Sequence, residues 1–186
     1  MVVSKTEFPD LLVIEPVVFG DDRGYFFEAY NQKTLLQEKV QIKFIQDNQA
    51  RSVYGVVRGL HFQDYPHAQT KLIRVLEGVI LDIVVDLRKG SPSFKKVFSI
   101  ELSAQNKKQL LVPKGFAHGY SVLSKTAEVF YKCDDFYHKE CEGSVAYNDP
   151  VLDIDWRIPR EKMIISAKDL VSPVFDKTTY NFLFEG

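Results

Sequence analysis

From Val56 onward the chain keeps returning to short runs of β-branched and aromatic residues, each stopped by a turn residue or a charge. Runs this short bury an apolar face as strands of a shared sheet, which favours an all-β barrel or sandwich. Strands are expected over 56–63, 71–77, 79–87, 96–101, 109–112, 118–122 and 128–132, spaced as a meander closing into a barrel. Leu76-Glu77-Gly78-Val79 reads as a hairpin turn. Upstream, 11–14 and 25–30 read as a strand pair around Phe19-Gly20-Asp21-Asp22-Arg23-Gly24. Asn31 can then cap a helix over 32–39 that turns Leu35 and Leu36 inward, followed by a strand over 42–46. Pro150, Pro159 and Pro173 interrupt any long element after Asn148-Asp149.

At 186 residues the chain is long enough for one well-buried domain and short for two. A single domain over 1–186 is expected, with an N-terminal strand region over about 1–50 and an irregular, partly helical tail over about 150–186. A formal charge of −1 offers no general attraction for nucleic acid or a membrane surface, so any anion must be held locally. Cys133 and Cys141 are too few for a disulfide framework and read as free thiols of a reducing compartment. Without a signal-like N-terminus or an unbroken apolar span, a soluble cytoplasmic protein is expected.

Three spacings carry chemistry. Gly55, His61 and Gln63 form G-x5-H-x-Q, Lys71 and Gly78 form K-x6-G, and Pro113, Gly115 and His118 form P-x-G-x-x-H. They resemble the two signature motifs of the cupin barrels, whose corresponding positions usually supply His, His, Glu and a last His to a divalent transition metal. The resemblance implies a jelly-roll β-barrel with His61, Gln63, Lys71 and His118 around one pocket. An ammonium in place of the Glu repels a cation, and an amide is a poor substitute for imidazole, so metal-free acid/base chemistry is expected.

Each group also has a plainer reading. On strict alternation Arg58, Leu60 and Phe62 share one face of their strand and His61 and Gln63 the other, where His61 is either a satisfied core histidine or a base with a pKa near ~6.5. Lys71 is a solvated strand end or an oxyanion partner, and Tyr131 a core tyrosine or a proton donor. Asp169, three residues after Ser166, is a helix-capping residue or the carboxylate that orients His61. Arg23, Arg51, Arg58 and Lys168 are scattered cations that would meet a pyrophosphate only if the fold gathers them. His67 and His138 stand in polar, turn-like surroundings as exposed histidines.

A larger set of motifs is more specific. Phe19-Gly20-Asp21-Asp22-Arg23-Gly24, Gln46-Asp47-Asn48, Arg58-Gly59-Leu60-His61-Phe62-Gln63, Pro113-Lys114-Gly115-Phe116-Ala117-His118-Gly119 and Asn148-Asp149-Pro150 leading to Asp155-Trp156 together resemble the dTDP-4-dehydrorhamnose 3,5-epimerase family, from about residue 12 to 169. The resemblance implies a mainly β, cupin-like barrel with a few short helices, no cofactor, and a homodimer whose exchanged N-terminal strands help build the partner's site. It implies His61 as base, Asp169 as its carboxylate, Tyr131 as proton donor and Lys71 at the substrate's C4 oxygen. Arg23, Phe26, Glu28, Gln46, Asn48, Arg58, His118, Tyr137, Glu142 and Lys168 match positions that contact nucleotide, pyrophosphate or sugar. Two departures stand out: Thr70 where relatives commonly have Gly, and Asp155-Trp156-Arg157 where they have Asp-Trp-Pro.

The residue types suit that reaction. C3 and C5 of dTDP-4-dehydro-6-deoxy-D-glucose both flank the C4 ketone, and their protons project from one face of the ring, so a single base can address both. An ammonium stabilises the enolate, and reprotonation from the other face inverts each centre. Competing readings are an epimerase acting at only C3 or only C5, a metal-dependent oxygenase barrel, and a non-catalytic sugar-nucleotide-binding barrel.

Overall fold

Successive strand residues point to opposite faces, so the chain has to cover two faces of every sheet it makes. In the computed structural model, which describes residues 1–185, it does so with two facing six-stranded sheets. The first runs β1 (Val2–Lys5), β2 (Leu12–Glu15), β10 (Gln109–Val112), β7 (Lys71–Glu77), β12 (Thr126–Cys133) and β5 (Gln46–Val53). The second runs β13 (Glu142–Ser144), β6 (Val56–Gln63), β11 (Phe116–Val122), β8 (Val79–Asp86) and β9 (Val97–Ser103), with β14 (Ile164–Ile165) parallel to β6.

Strands 56–63, 71–77 and 109–112 form as expected, and the other four of that series shift only at their ends. The order is not a meander. From β5 to β13 the chain changes sheet at every step except β8 to β9, which is the jelly-roll path. Gly78 accordingly does not close a hairpin: β7 and β8 lie in different sheets, and the chain turns a corner between them. Gly78 has φ +78°, and a Cβ there would run into the Thr126 carbonyl, so that corner needs glycine.

The N-terminal expectations need more correction. The strand at 25–30 pairs not with 11–14 but with β3 (Val18–Asp21), as β4 (Gly24–Phe27) of a separate two-stranded hairpin. Residues 12–14 belong instead to β2, between β1 and β10. Asn31 caps α1 (Gln32–Gln37) by accepting from the Lys33 and Thr34 amides, but only Leu35 is buried and Leu36 faces solvent. No strand forms over 42–45. The neighbouring strand is β5, Gln-Asp-Asn-Gln-Ala-Arg-Ser-Val, whose polar sequence hid it because its inner face lines a polar site.

The main core fills the space between the sheets with Ile73, Ile80, Val84, Leu102, Leu110 and Val129. A second cluster lies on the outer face of the second sheet, where the segment after Pro150 lays Trp156, Phe175 and Phe182 over Leu60, Phe62 and Leu81. The C-terminal segment is thus irregular but well packed: each such aromatic contributes about 1.5–3 kcal/mol by burial, and Phe182 is 1% exposed. That layer also carries α2 (Ala167–Leu170) against β6.

Candidate active site

A break in the pairing of β6 with β11 builds the site. His118 opposes His61, but Tyr120 opposes Arg58, so β6 spends three steps where β11 spends two. Such an extra residue is a β-bulge, and it switches which residues face inward. Val56 packs into the inter-sheet core on one side of the bulge, whereas Leu60 and Phe62 pack outward on the other. Arg58 therefore shares the interior face with His61, not with Leu60 and Phe62 as strict alternation predicts. A bulge carries no hydrophobic signature, although Gly59, whose close approach to Gly119 leaves no room for a Cβ, marks the place.

His61 is 31% exposed, and its Nε2 lies 2.6 Å from Oδ1 of Asp169, which is 4% exposed. Ser166 is the cap of α2 and accepts from the Asp169 backbone N–H, while the Asp169 carboxylate turns away from the helix end to meet the imidazole. Burial opposes ionisation of Asp169, but the hydrogen bond and charge of His61, with help from Ser166 and the Gly59 amide, hold its carboxyl below the usual range. An anionic Asp169 favours the His61 tautomer with the proton on Nε2, which leaves Nδ1 as the ring's free acceptor.

The first sheet faces this dyad with Tyr131, Lys71 and Asn48. Tyr131 opposes Asn48 on one side and Ile73 on the other, and Cys133 opposes Lys71. Burial first, then the neighbouring Cys133 and Tyr120, push the Tyr131 phenol up to about 12, against a smaller pull from Arg58. Tyr131 is therefore a neutral donor at neutral pH. Burial pulls the Lys71 ammonium below its usual value, while Cys133, Asp82 and Glu142 act in the opposite direction.

Several scattered residues do converge. Glu142 opposes Gln63, accepts from the Tyr137 hydroxyl at 3.0 Å and pairs with Lys168. Gln46 accepts from the Tyr137 amide and donates to Asn48, and Arg58 donates through Nε to Ser52 at 3.1 Å. His118 rests its Nε2 on Asp82 at 2.9 Å. Asp82 was missed from sequence, yet a single carboxylate inside Val-Ile-Leu-Asp-Ile-Val-Val is the signal that betrays it. Its fully buried position demands a partner, and His118 supplies one.

Gln63 faces the same way but is taken up by backbone. Its amide donates to the carbonyls of His67 and Phe136 and accepts from the His138 N–H. Arg23, Phe26 and Glu28 are not gathered: Arg23 is bound to Asp21 on the exposed hairpin, Phe26 is 70% exposed, and Glu28 accepts from Asn31. Arg51, on the opposite face of β5 from Asn48, pairs with Glu77.

The sequence model of a family described as dTDP-4-dehydrorhamnose 3,5-epimerase matches residues 5–177. A Shigella flexneri protein described by the same words is 46% identical over 182 residues, 97% of this chain and 99% of that protein. The crystal structure of dTDP-4-dehydrorhamnose 3,5-epimerase from Elizabethkingia anophelis superposes with a TM-score of 0.91 at 53% identity, covering 96% of this chain and 99% of that one. A Legionella pneumophila dTDP-6-deoxy-D-glucose-3,5-epimerase in complex with dTDP-4-keto-L-rhamnose gives 0.89 at 43% identity, covering 95% and 93%.

Proposed function

The chain belongs to the dTDP-4-dehydrorhamnose 3,5-epimerase family, and from that membership we propose that His61 is its base, Tyr131 its proton donor and Lys71 its oxyanion partner. The enzyme is an isomerase acting on a nucleotide sugar. It inverts C3 and C5 of dTDP-4-dehydro-6-deoxy-D-glucose to give dTDP-4-dehydro-L-rhamnose. The observation that carries the residue roles is the one-third-exposed His61 backed by the buried Asp169 on a face opposed by Tyr131 and Lys71.

Nδ1 of His61 takes the proton from C3 or C5, and the electrons move onto the C4 oxygen. Lys71 stabilises that oxygen, since its ammonium is strongest as a partner where water is scarce. Tyr131 then delivers a proton to the opposite face of the carbon, and Arg58 tempers the phenolate left behind. Glu142, Tyr137, Lys168, Gln46, Asn48 and His118 surround the reacting groups and hold the rest of the substrate. In deuterated water the product should carry deuterium at both C3 and C5. Label confined to one carbon at completion would overturn double inversion.

Arg23, Phe26 and Glu28 join the reading through a second copy of the chain. The β3–β4 hairpin projects with Phe19, Tyr25 and Phe26 each more than 60% exposed, a poor surface to leave in water. We infer a homodimer in which this N-terminal region reaches the partner's site. Co-expressed Arg23→Ala and His61→Asn chains test it: each alone is nearly inactive, but mixed dimers rebuild one intact site, restoring roughly a quarter of wild-type activity for random pairing of a shared-site dimer. Purely additive residual activities would sink the shared site. No helix among the described residues is long and apolar enough to cross a membrane, and the unpaired Cys133 and Cys141 support a cytoplasmic location.

A further inference from the structure

His67 and His138, isolated in sequence, are brought ring on ring, with centroids 3.4 Å apart and planes 9° apart. Nδ1 of His67 lies 3.2 Å from Oδ2 of Asp135, and Nδ1 of His138 lies 3.0 Å from Oε1 of Glu140. One donor atom from each of His67, Asp135 and His138 falls within 4.8 Å of the other two. We propose that these three residues form a binding site for a divalent transition metal of the zinc class, at the rim of the barrel and separate from the His61 dyad.

Distance, chemistry and support favour the assignment. Two donors bonded to zinc at about 2.0–2.1 Å in tetrahedral geometry stand roughly 3.3 Å apart, close to the 3.2 Å between His67 and Asp135. Two imidazoles and a carboxylate are a borderline donor set that suits zinc and leaves the fourth position to water. Glu140 is placed to orient the His138 ring, as carboxylates behind metal-bound histidines do.

The rings must tilt out of their stack to share a metal, because the lone pairs of stacked imidazoles run parallel in planes 3.4 Å apart. His67 and His138 side chains are about one-third exposed, so that tilt meets little packing. Their backbone, by contrast, is pinned. Gln63, only 5% exposed, bonds the His67 carbonyl at 2.7 Å, the Phe136 carbonyl at 3.0 Å and the His138 N–H at 2.6 Å. One buried amide thus fixes both loops that carry the ligands, which is the pre-organisation a metal site requires. Bound metal would brace the loop leading to Lys71 against the one bearing Tyr137.

The test uses tag-free, chelator-treated full-length protein titrated with zinc chloride by calorimetry, with thermal melting in parallel. One zinc per chain is expected, together with a higher Tm. His67→Ala and His138→Gln should each weaken binding by at least about 100-fold, and Glu140→Gln by about 10-fold, the range for orienting carboxylates. His61→Asn should bind zinc normally. The metal-free His67→Ala and His138→Gln enzymes should keep wild-type circular dichroism, so that lost binding is read at the site and not as misfolding. Three results overturn the site: no saturation below millimolar zinc, retention of stoichiometric zinc by both histidine variants, or loss of zinc in His61→Asn.

Discussion

Replacing His61 with Asn lowers epimerisation by about 10³-fold or more, the scale on which a positioned general base acts. Asn is the informative substitution because Asp169 is almost fully buried against the imidazole. Alanine would leave that carboxylate without its partner, a destabilising change in its own right. An Asn side chain can still donate to Asp169 but cannot take a proton from carbon. Solvent deuterium exchange at C3 and C5 should fall in parallel with turnover, while affinity for dTDP changes little. Undiminished exchange would remove His61 from the role of base and assign proton abstraction to another group.

A second large effect concerns stability and lies outside the chemistry. Asp86 is fully buried and accepts from the backbone and side chain of Arg88 and from the hydroxyls of Ser91 and Ser93. Arg88, itself 8% exposed, continues to Asp10 and the Pro9 carbonyl and lies over the Phe116 ring. Asp86→Ala strands a buried guanidinium and should cost roughly 3–5 kcal/mol, lowering Tm by on the order of 10 °C. A drop of less than a few degrees would show that water or Asp10 replaces the lost partner.

The same pair sets a pH dependence. Burial raises the Asp86 pKa, but the hydrogen bonds from Arg88, Ser91 and Ser93 outweigh it, so the folded value lies below that of the unfolded chain. Asp169 is shifted in the same direction. A depressed folded pKa gives stability that is fully present above the unfolded value near ~3.9 and is lost as pH falls through the folded one. Acid unfolding of the wild type should therefore steepen below about pH 4, and the Asp86→Ala variant should show a shallower acid limb in Tm measured against pH.

Much of the site was legible because its chemistry depends on residue type and spacing. His61 and Lys71 stand at motif positions, Tyr131 and Asp169 follow from the family resemblance, and the fold brings His61 to Asp169 across 108 positions of sequence. Asp82 and Ser52 were not named, since a hydrogen-bond partner supplied by another strand leaves no local pattern. Strict alternation puts Arg58 on the wrong face because one bulge residue shifts the periodicity on which such a reading rests. The N-terminal strand partners escape the sequence for a related reason: 11–14 has an apolar face that several strands could cover, and only the assembled sheet selects β1 and β10.

A β protein with an imidazole, a phenol, an ammonium and a carboxylate at family spacing is readable from the order of residues, because strand periodicity and side-chain chemistry are local properties. Only the assembled fold selects which sheet each strand joins, which side of the bulge faces the interior, and that His67 meets His138. Those outcomes depend on closing long loops around a shared core, where the free energy resides in contacts between distant residues and not in the order of neighbours.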